Sequence, residues 1–285
     1  MFYDPAAVAP NSLDEAYELL AERGRHSKII AGGTDVMVAL NAGALDAKEF
    51  IDIRGVNELR GVDDEGETIR IGALTTYTQL IKSSVAQISV PALVEASRTV
   101  GAIQIQNRGT IGGNIVNASP AGDSLPVLAA FDAEVELGSV RGVRRVDFNS
   151  FYTGYRQTVM APDEILLAVR LTKLKPNERS FFFKVGTRRA QAISKIVIGV
   201  KVDTTGAVVN SISIALGSVA PTVIRARQTE SLLTNATLNS ALIDRAKRAI
   251  SKEIAPITDV RSTEHYRRTV AGNALARILR RQCSI

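Results

Sequence analysis

Residues 108–128 read RGTIGGNIVNASPAGDSLPVL, and much earlier in the chain residues 28–40 read KIIAGGTDVMVAL. Each stretch sets a Gly-Gly pair beside apolar residues. A missing Cβ lets a backbone approach a ligand and point successive N–H groups at it, a geometry that suits a phosphate. The earlier stretch alone reads equally as a tight strand-to-helix turn capped by Asp35. It lacks the G-x-G-x-x-G fingerprint and the P-loop Lys-Ser/Thr. The later stretch repeats the theme at Gly109, Gly112 and Gly113, and two such strand-associated loops can close on one diphosphate from both sides. Thr34, Thr110 and Asn114 add side-chain donors. Asp123 suits sugar hydroxyls rather than a phosphate, or else serves as a turn residue before Pro126.

Outward from these loops, Ser12 to Glu15 has the Ser-x-x-Glu form of a helix start. Leu13, Ala16, Tyr17 and Leu20 continue at helical spacing, and Gly24 is expected as a left-handed stop. Strands are expected at 28–31 and 50–56, with a helical turn or two at 36–41, so the first 57 residues form a small alternating unit with parallel strands. Ile69 and Ile71, and later Val135 and Leu137, alternate as half-buried strands, with a helix at 90–102 between them. After the linker at 173–180, KIVIGVKVD and NSISIALGSVA pair antiparallel across Thr204-Thr205-Gly206. Helices follow at 238–252 and 263–282, the second with Tyr266, Val270, Ala274 and Ile278 at four-residue intervals.

The chain has 285 residues, 45% of them hydrophobic, enough for a sizeable core. No run approaches the roughly 18 apolar residues of a membrane span, and the start MFYDPAAVAP lacks the layout of a signal peptide, so a cytoplasmic protein is expected. The single cysteine, Cys283, excludes an intrachain disulfide and a cluster held by four thiolates of this chain. The net charge of +6 concentrates in residues 225–285, which hold 12 Lys/Arg against 5 Asp/Glu. With only Tyr266 as an aromatic there, this reads as a solvated face or subunit contact rather than a nucleic-acid site. His26 and His265 have no neighbouring carboxylate motif, and neither a metal-ligand spacing nor a nucleophile signature is present. No catalytic residue of this chain is expected.

AGGTD and TIGGNIVNASPAGDS, in this order and spacing, resemble the FAD-binding subunit of the molybdenum hydroxylases, the family of bacterial xanthine dehydrogenase and the medium subunit of carbon monoxide dehydrogenase. The likeness runs over nearly the whole chain. It includes LRGV at 59–62, IRIGALTTYTQL at 69–80, DEILLAVRL at 163–171 and FFFKVGTRRAQAISKI at 181–196.

The resemblance implies an α+β chain with a two-subdomain FAD-binding fold of the vanillyl-alcohol-oxidase type: a small α/β unit at 1–57 and a larger mixed α+β unit at 58–175. A small α+β C-terminal domain at 176–285, with an antiparallel sheet and helices, completes it. It implies FAD diphosphate binding on Ile29, Ile30, Ala31, Gly32, Gly33, Thr34 and Asp35 and on Thr110, Ile111, Gly112, Gly113 and Asn114. Asp123 falls on the ribose side, Val100 and Leu166 pack against flavin or adenine, and Lys184 contacts the cofactor. Xanthine dehydrogenases commonly carry an acidic residue where this chain has Ala192. Its loss removes a carboxylate that would disfavour anionic reduced flavin and puts NAD in question as acceptor. Arg188 and Arg189 remain as positive charge nearby, or as a surface-facing pair.

By the same resemblance the chain is the flavin subunit of a xanthine dehydrogenase-like oxidoreductase. A molybdopterin-binding large subunit and a small subunit with [2Fe-2S] clusters are its partners, in a dimer of heterotrimers. Electrons reach FAD from those clusters and leave to NAD, a quinone or oxygen. A self-contained FAD-dependent oxidoreductase and a non-catalytic nucleotide-binding assembly subunit are the alternatives.

Overall fold

The computed structural model describes residues 6–45, 49–188 and 190–283, so Arg189 lies outside the described residues. The N-terminal unit runs β1 (Ala6–Val8), α1 (Leu13–Arg23), β2 (Ser27–Ile30), α2 (Val36–Asn41) and β3 (Glu49–Asp52). Its strands form a parallel sheet in the order β1-β3-β2, the arrangement that helical crossovers allow. Ser12 Oγ accepts the Glu15 N–H at 3.2 Å, while the Glu15 carboxylate reaches Asn11 N at 2.7 Å, one residue further out than a reciprocal box requires. α1 buries Ala16 and Leu20 against Ile51 and Ile53. Gly24 differs from expectation: its φ is −53°, in the right-handed region. A Cβ there would lie 2.3 Å from the Pro162 carbonyl oxygen, so close backbone approach, not handedness, demands glycine.

The second unit begins with β4 (Val62–Glu65) and β5 (Thr68–Gly72), followed by six short helices: α3 (Tyr77–Lys82), α4 (Ser84–Ser89), α5 (Pro91–Arg98), α6 (Ile103–Arg108), α7 (Ile111–Asn117) and α8 (Leu125–Ala130). β6 (Glu134–Ser139) and β7 (Gly142–Asp147) come next, then a small hairpin of β8 (Tyr152–Gly154) and β9 (Gln157–Thr158), and β10 (Ile165–Thr172). The antiparallel sheet has the order β4-β5-β10-β6-β7. Ile69, Ile71, Val135 and Leu137 form the buried face of these strands, as their alternation predicts, and Leu93, Leu128 and Phe131 on or beside the helices cover that face. Alternate residues carry charge: Glu136 accepts from Arg70 at 2.9 Å and Arg170 at 3.0 Å.

The third unit contains β11 (Glu178–Val185), β12 (Ile196–Thr205), β13 (Val208–Gly217), β14 (Ile224–Arg225), α9 (Arg227–Leu233), β15 (Ala236–Thr237), α10 (Ser240–Glu253) and α11 (Glu264–Cys283). β12 and β13 are antiparallel across the expected turn, where Gly206 takes φ +59°. Ala274 and Ile278 of α11 and Ile243 and Ile250 of α10 close one core with Ile198, Val200 and Ile214. The other face of this sheet rests on the second unit: Cβ atoms on Gly199 and Gly217 would come within 2.8 Å of Pro126 and 3.1 Å of the Pro120 carbonyl oxygen. That contact sets one wall of a cleft between the units.

Candidate functional site

A cleft of about 1400 Å³ runs between the three units, larger than the roughly 300–1,000 Å³ common for small-ligand pockets. Its first wall is the loop at the C-terminal end of β2, where parallel sheets characteristically place ligands. The N–H groups of Gly32, Gly33, Thr34 and Asp35 have no hydrogen-bond partner among the described residues. The two glycines do different work. Gly33 takes φ +77°, which L side chains resist. Gly32 is the contact point: a Cβ there would lie 2.0 Å from the Arg108 carbonyl oxygen, so this loop packs directly on the start of the second Gly-rich stretch.

That second stretch is not a strand-associated loop. Gly112 and Gly113 lie in the first turn of α7, preceded by helix α6. Thr110 is the N-cap, its Oγ accepting the Gly113 N–H at 3.0 Å. The N–H groups of Ile111 and Gly112 bond the carbonyls of Thr75 and Ala73, at 3.0 and 2.9 Å, and Asn114 N bonds Thr110 O at 3.1 Å. The N–H groups of Ile111 to Asn114 are therefore already used, and what this turn offers the cleft is its side chains. Asn114 Oδ1 accepts from Ser124 Oγ at 2.9 Å, which turns its amide Nδ2 free to donate. Across the cleft, Asp35 is the N-cap residue of α2 but makes no side-chain cap; its Oδ1 accepts from Asn117 Nδ2 at 2.9 Å. Burial pushes the Asp35 carboxyl up, and Arg156 and Asn117 pull it partly back.

Asp123 is buried in the cleft floor, in the loop after Ala118, which takes φ +50°. Lys184 Nζ donates to its Oδ2 at 2.5 Å and to Thr99 O at 3.0 Å. The other oxygen, Oδ1, is buried without a partner, which is costly unless a donor arrives. Burial pushes this carboxyl up to about 6, and Lys184 opposes that rise. Tyr77, pushed up by burial, places its hydroxyl 3.3 Å from Ser124 Oγ and lines the same wall. Tyr77 lies within IRIGALTTYTQL at 69–80, yet nothing in its spacing marks it for the site.

Ile29, Ala31, Gly32, Gly33, Thr34, Asp35, Val100, Thr110, Gly112, Gly113, Asn114, Asp123 and Leu166 all line the cleft, whereas Ile30, Ile111 and Lys184 do not. The Ile111 side chain belongs to the core. Lys184 stands behind Asp123, so its action on a ligand passes through that carboxylate. The third unit closes the cleft with 191–194, where Ala192 is found, and with Ser218, Asp259 and Arg267; of these only Ala192 is marked by the sequence. Ser194 Oγ donates to Ala121 O at 3.1 Å and lies 2.8 Å from Ser218 Oγ. Arg267 is buried, donating to Ser218 O and Asp259 Oδ1, both at 2.7 Å. Although burial raises it, the Asp259 carboxyl is held down to about 2 by the N–H groups of Arg261 and Ser262 and by Arg267. His26 and His265 are exposed and outside the cleft, and Arg188 is turned onto the Gln191 carbonyl at 2.7 Å. Among the described residues no His/Cys/Asp/Glu cluster can hold a metal ion.

The donor set fits FAD. Unused amides and hydroxyls suit its diphosphate, the orphaned Asp123 Oδ1 suits a hydroxyl, and Val100, Ile105, Ile165 and Leu166 give apolar wall for rings.

Residues 3–173 match the family described as the FAD binding domain in molybdopterin dehydrogenase, and residues 181–282 match the CO dehydrogenase flavoprotein C-terminal domain. The chain is 35% identical over 259 residues to the xanthine dehydrogenase FAD-binding subunit of Escherichia coli O157:H7, covering 90% of this chain and 88% of that one. It is 30% identical over 271 residues to the carbon monoxide dehydrogenase medium chain of Hydrogenophaga pseudoflava, covering 95% and 94%. A solved structure of carbon monoxide dehydrogenase from that organism superposes with a TM-score of 0.93 at 29% identity, over 97% of this chain and 96% of that one.

Proposed function

From the premise that this chain belongs to the FAD-binding flavoprotein family of the molybdopterin dehydrogenases, we propose that it is the electron-transfer subunit of a xanthine dehydrogenase-like hydroxylase. Its partners are a molybdopterin-binding large subunit and a small [2Fe-2S] subunit, in a dimer of heterotrimers in the cytoplasm. Electrons come from the clusters and pass to NAD, a quinone or oxygen. No helix among the described residues is long and apolar enough to cross a membrane. Bound FAD supplies the two-electron redox chemistry that no side chain of this chain offers.

The chain's own part is to bind and orient. One observation carries this reading: the four unused amides of Gly32 to Asp35 share a single cleft with the side-chain donors of Thr110 and Asn114. Donors fixed in advance stabilise a dianion without reorganising. Asp123, kept ionised near neutrality by Lys184, accepts from a hydroxyl, and Val100 and Leu166 exclude water beside the rings.

The test is co-expression with candidate large and small subunits, followed by visible spectroscopy. A yellow complex whose flavin bleaches with a purine, N-heterocycle, aldehyde or carbon monoxide only when both partners are present is the expected result. Turnover by the isolated chain would favour a self-contained oxidoreductase. A complex without flavin would favour an assembly role.

A further inference from the structure

The hairpin β8–β9 ends in a two-residue tip, Tyr155-Arg156, that reaches the cleft beside α7. Arg156 takes φ +54°, a conformation in which glycine or asparagine is the undemanding choice and which costs an arginine of order 1 kcal/mol. Its Nη1 donates to Asn117 Oδ1 at 2.7 Å and to Asn117 O at 3.4 Å. Asn117 Nδ2 in turn donates to Asp35 Oδ1 at 2.9 Å. A chain of three side chains thus crosses the cleft mouth, joining the hairpin tip to the end of α7 and to the loop after β2.

At this mouth Arg156 acts on Asp35 only at a distance and makes no direct ion pair with it. Of the arginines that line the cleft, Arg261 and Arg267 are both paired with Asp259. Among the described residues Arg156 has no carboxylate within ion-pair distance, and its contacts are the neutral Asn117 and the face of Tyr155, 5.9 Å away. Asp35 meanwhile places a carboxylate next to the amides of Gly32 to Thr34, where it would repel an anion. The amides and hydroxyls of the clamp carry no net charge to answer that repulsion, and Lys28, which also lines the cleft, lies on β2 before the loop. A guanidinium linked to the same carboxylate answers it.

We propose that the Tyr155–Arg156 tip is a strap over the diphosphate site: Arg156 locks Asn117 across the mouth to Asp35 and supplies the positive charge that offsets both Asp35 and the bound dianion. The proposal rests on the FAD reading above. Arg156 acts on how firmly the cofactor is held, not on the redox step, so its signature is the rate of flavin release and the salt dependence of that rate.

The experiment measures FAD release from the purified wild-type complex and its R156G, R156Q and R156K forms, by the fluorescence of freed flavin at low and high salt. R156G relieves the left-handed backbone while deleting the side chain, so its melting temperature checks that a folded hairpin is being compared. The expected result is release about ten-fold faster for R156G and R156Q at low salt, the size of one lost charge-assisted hydrogen bond. The gap narrows at high salt, where screening acts, and R156K recovers part of it. Wild-type release rates in R156G and R156Q would overturn the strap, and so would a gap indifferent to salt. A wild-type complex that purifies without flavin would instead overturn the FAD reading on which the strap rests.

Discussion

The Asp123–Lys184 pair concentrates the site's electrostatics in two side chains, each less than a tenth exposed. Removing one partner of such a pair strands the other charge in a poor solvent, which typically costs about 3–5 kcal/mol. K184M is therefore expected to destabilise the subunit by about 3 kcal/mol in denaturant unfolding, and the D123N/K184M double variant to recover most of that loss. Additive single effects would mean that the two residues do not act as a pair. The pH dependence has a definite sign. The folded-state value of about 6 lies above the ordinary 3.8, so between them the folded chain holds a proton that the unfolded chain has released. The stability attached to that proton is complete below about pH 4 and lost as pH rises through about 6. Compared with D123N, the flavin-free wild-type subunit should lose stability over this window, measured by melting temperature. A difference that does not change with pH would place the titration elsewhere.

Among elements, α7 decides which groups the second wall of the cleft leaves free. It is only seven residues long, too short to hold together by propensity, and it persists because its first amides are bonded to Ala73 and Thr75 and to its own cap. Thr110 accepts as the cap through one lone pair, which leaves its hydroxyl proton free to donate into the cleft it lines. T110A is expected to lose about 1 kcal/mol of stability and to release FAD faster, while T110S keeps both properties. By spacing alone, the glycines of this stretch read as a loop like the first. Their pattern does not separate a loop that offers amides from a helix start that has used them, because the acceptors, the Ala73 and Thr75 carbonyls, come from a distant segment.

At the scale of the whole molecule, the cleft exists because the third unit is pressed onto α8 through Gly199 and Gly217. Arg267 ties that unit's cleft wall together, with bonds to Ser218, Asp259 and, at 3.3 Å, Lys195 O. R267M would leave the buried Ser218 carbonyl without this donor, while the half-buried Asp259 keeps the N–H groups of Arg261 and Ser262. A loss of about 2 kcal/mol is expected from the orphaned acceptor, together with weaker flavin retention, because Ser218 and Ser194 border the Asp123 loop. Wild-type retention in R267M would show that this wall does not take part in holding the cofactor. Nothing in the spacing of α11 marks Arg267, which sits among solvent-facing arginines in a basic segment and differs from them only in where its helix is docked.

The sequence by itself determined the local choices and the identity of the fold. The capped start of α1, the parallel N-terminal sheet, the β12–β13 hairpin and the two Gly-rich stretches were legible because each depends on neighbours within a few residues. Their order along the chain carried the family resemblance. The tertiary structure decided which groups remain unsatisfied. Gly24 and Gly32 are glycines because a remote carbonyl passes within van der Waals range, Lys184 stands behind Asp123 rather than on the cleft wall, and Arg156 closes the mouth through Asn117. Hydrogen-bond saturation and burial are sums over partners from all three units, and no stretch of sequence contains its own partners.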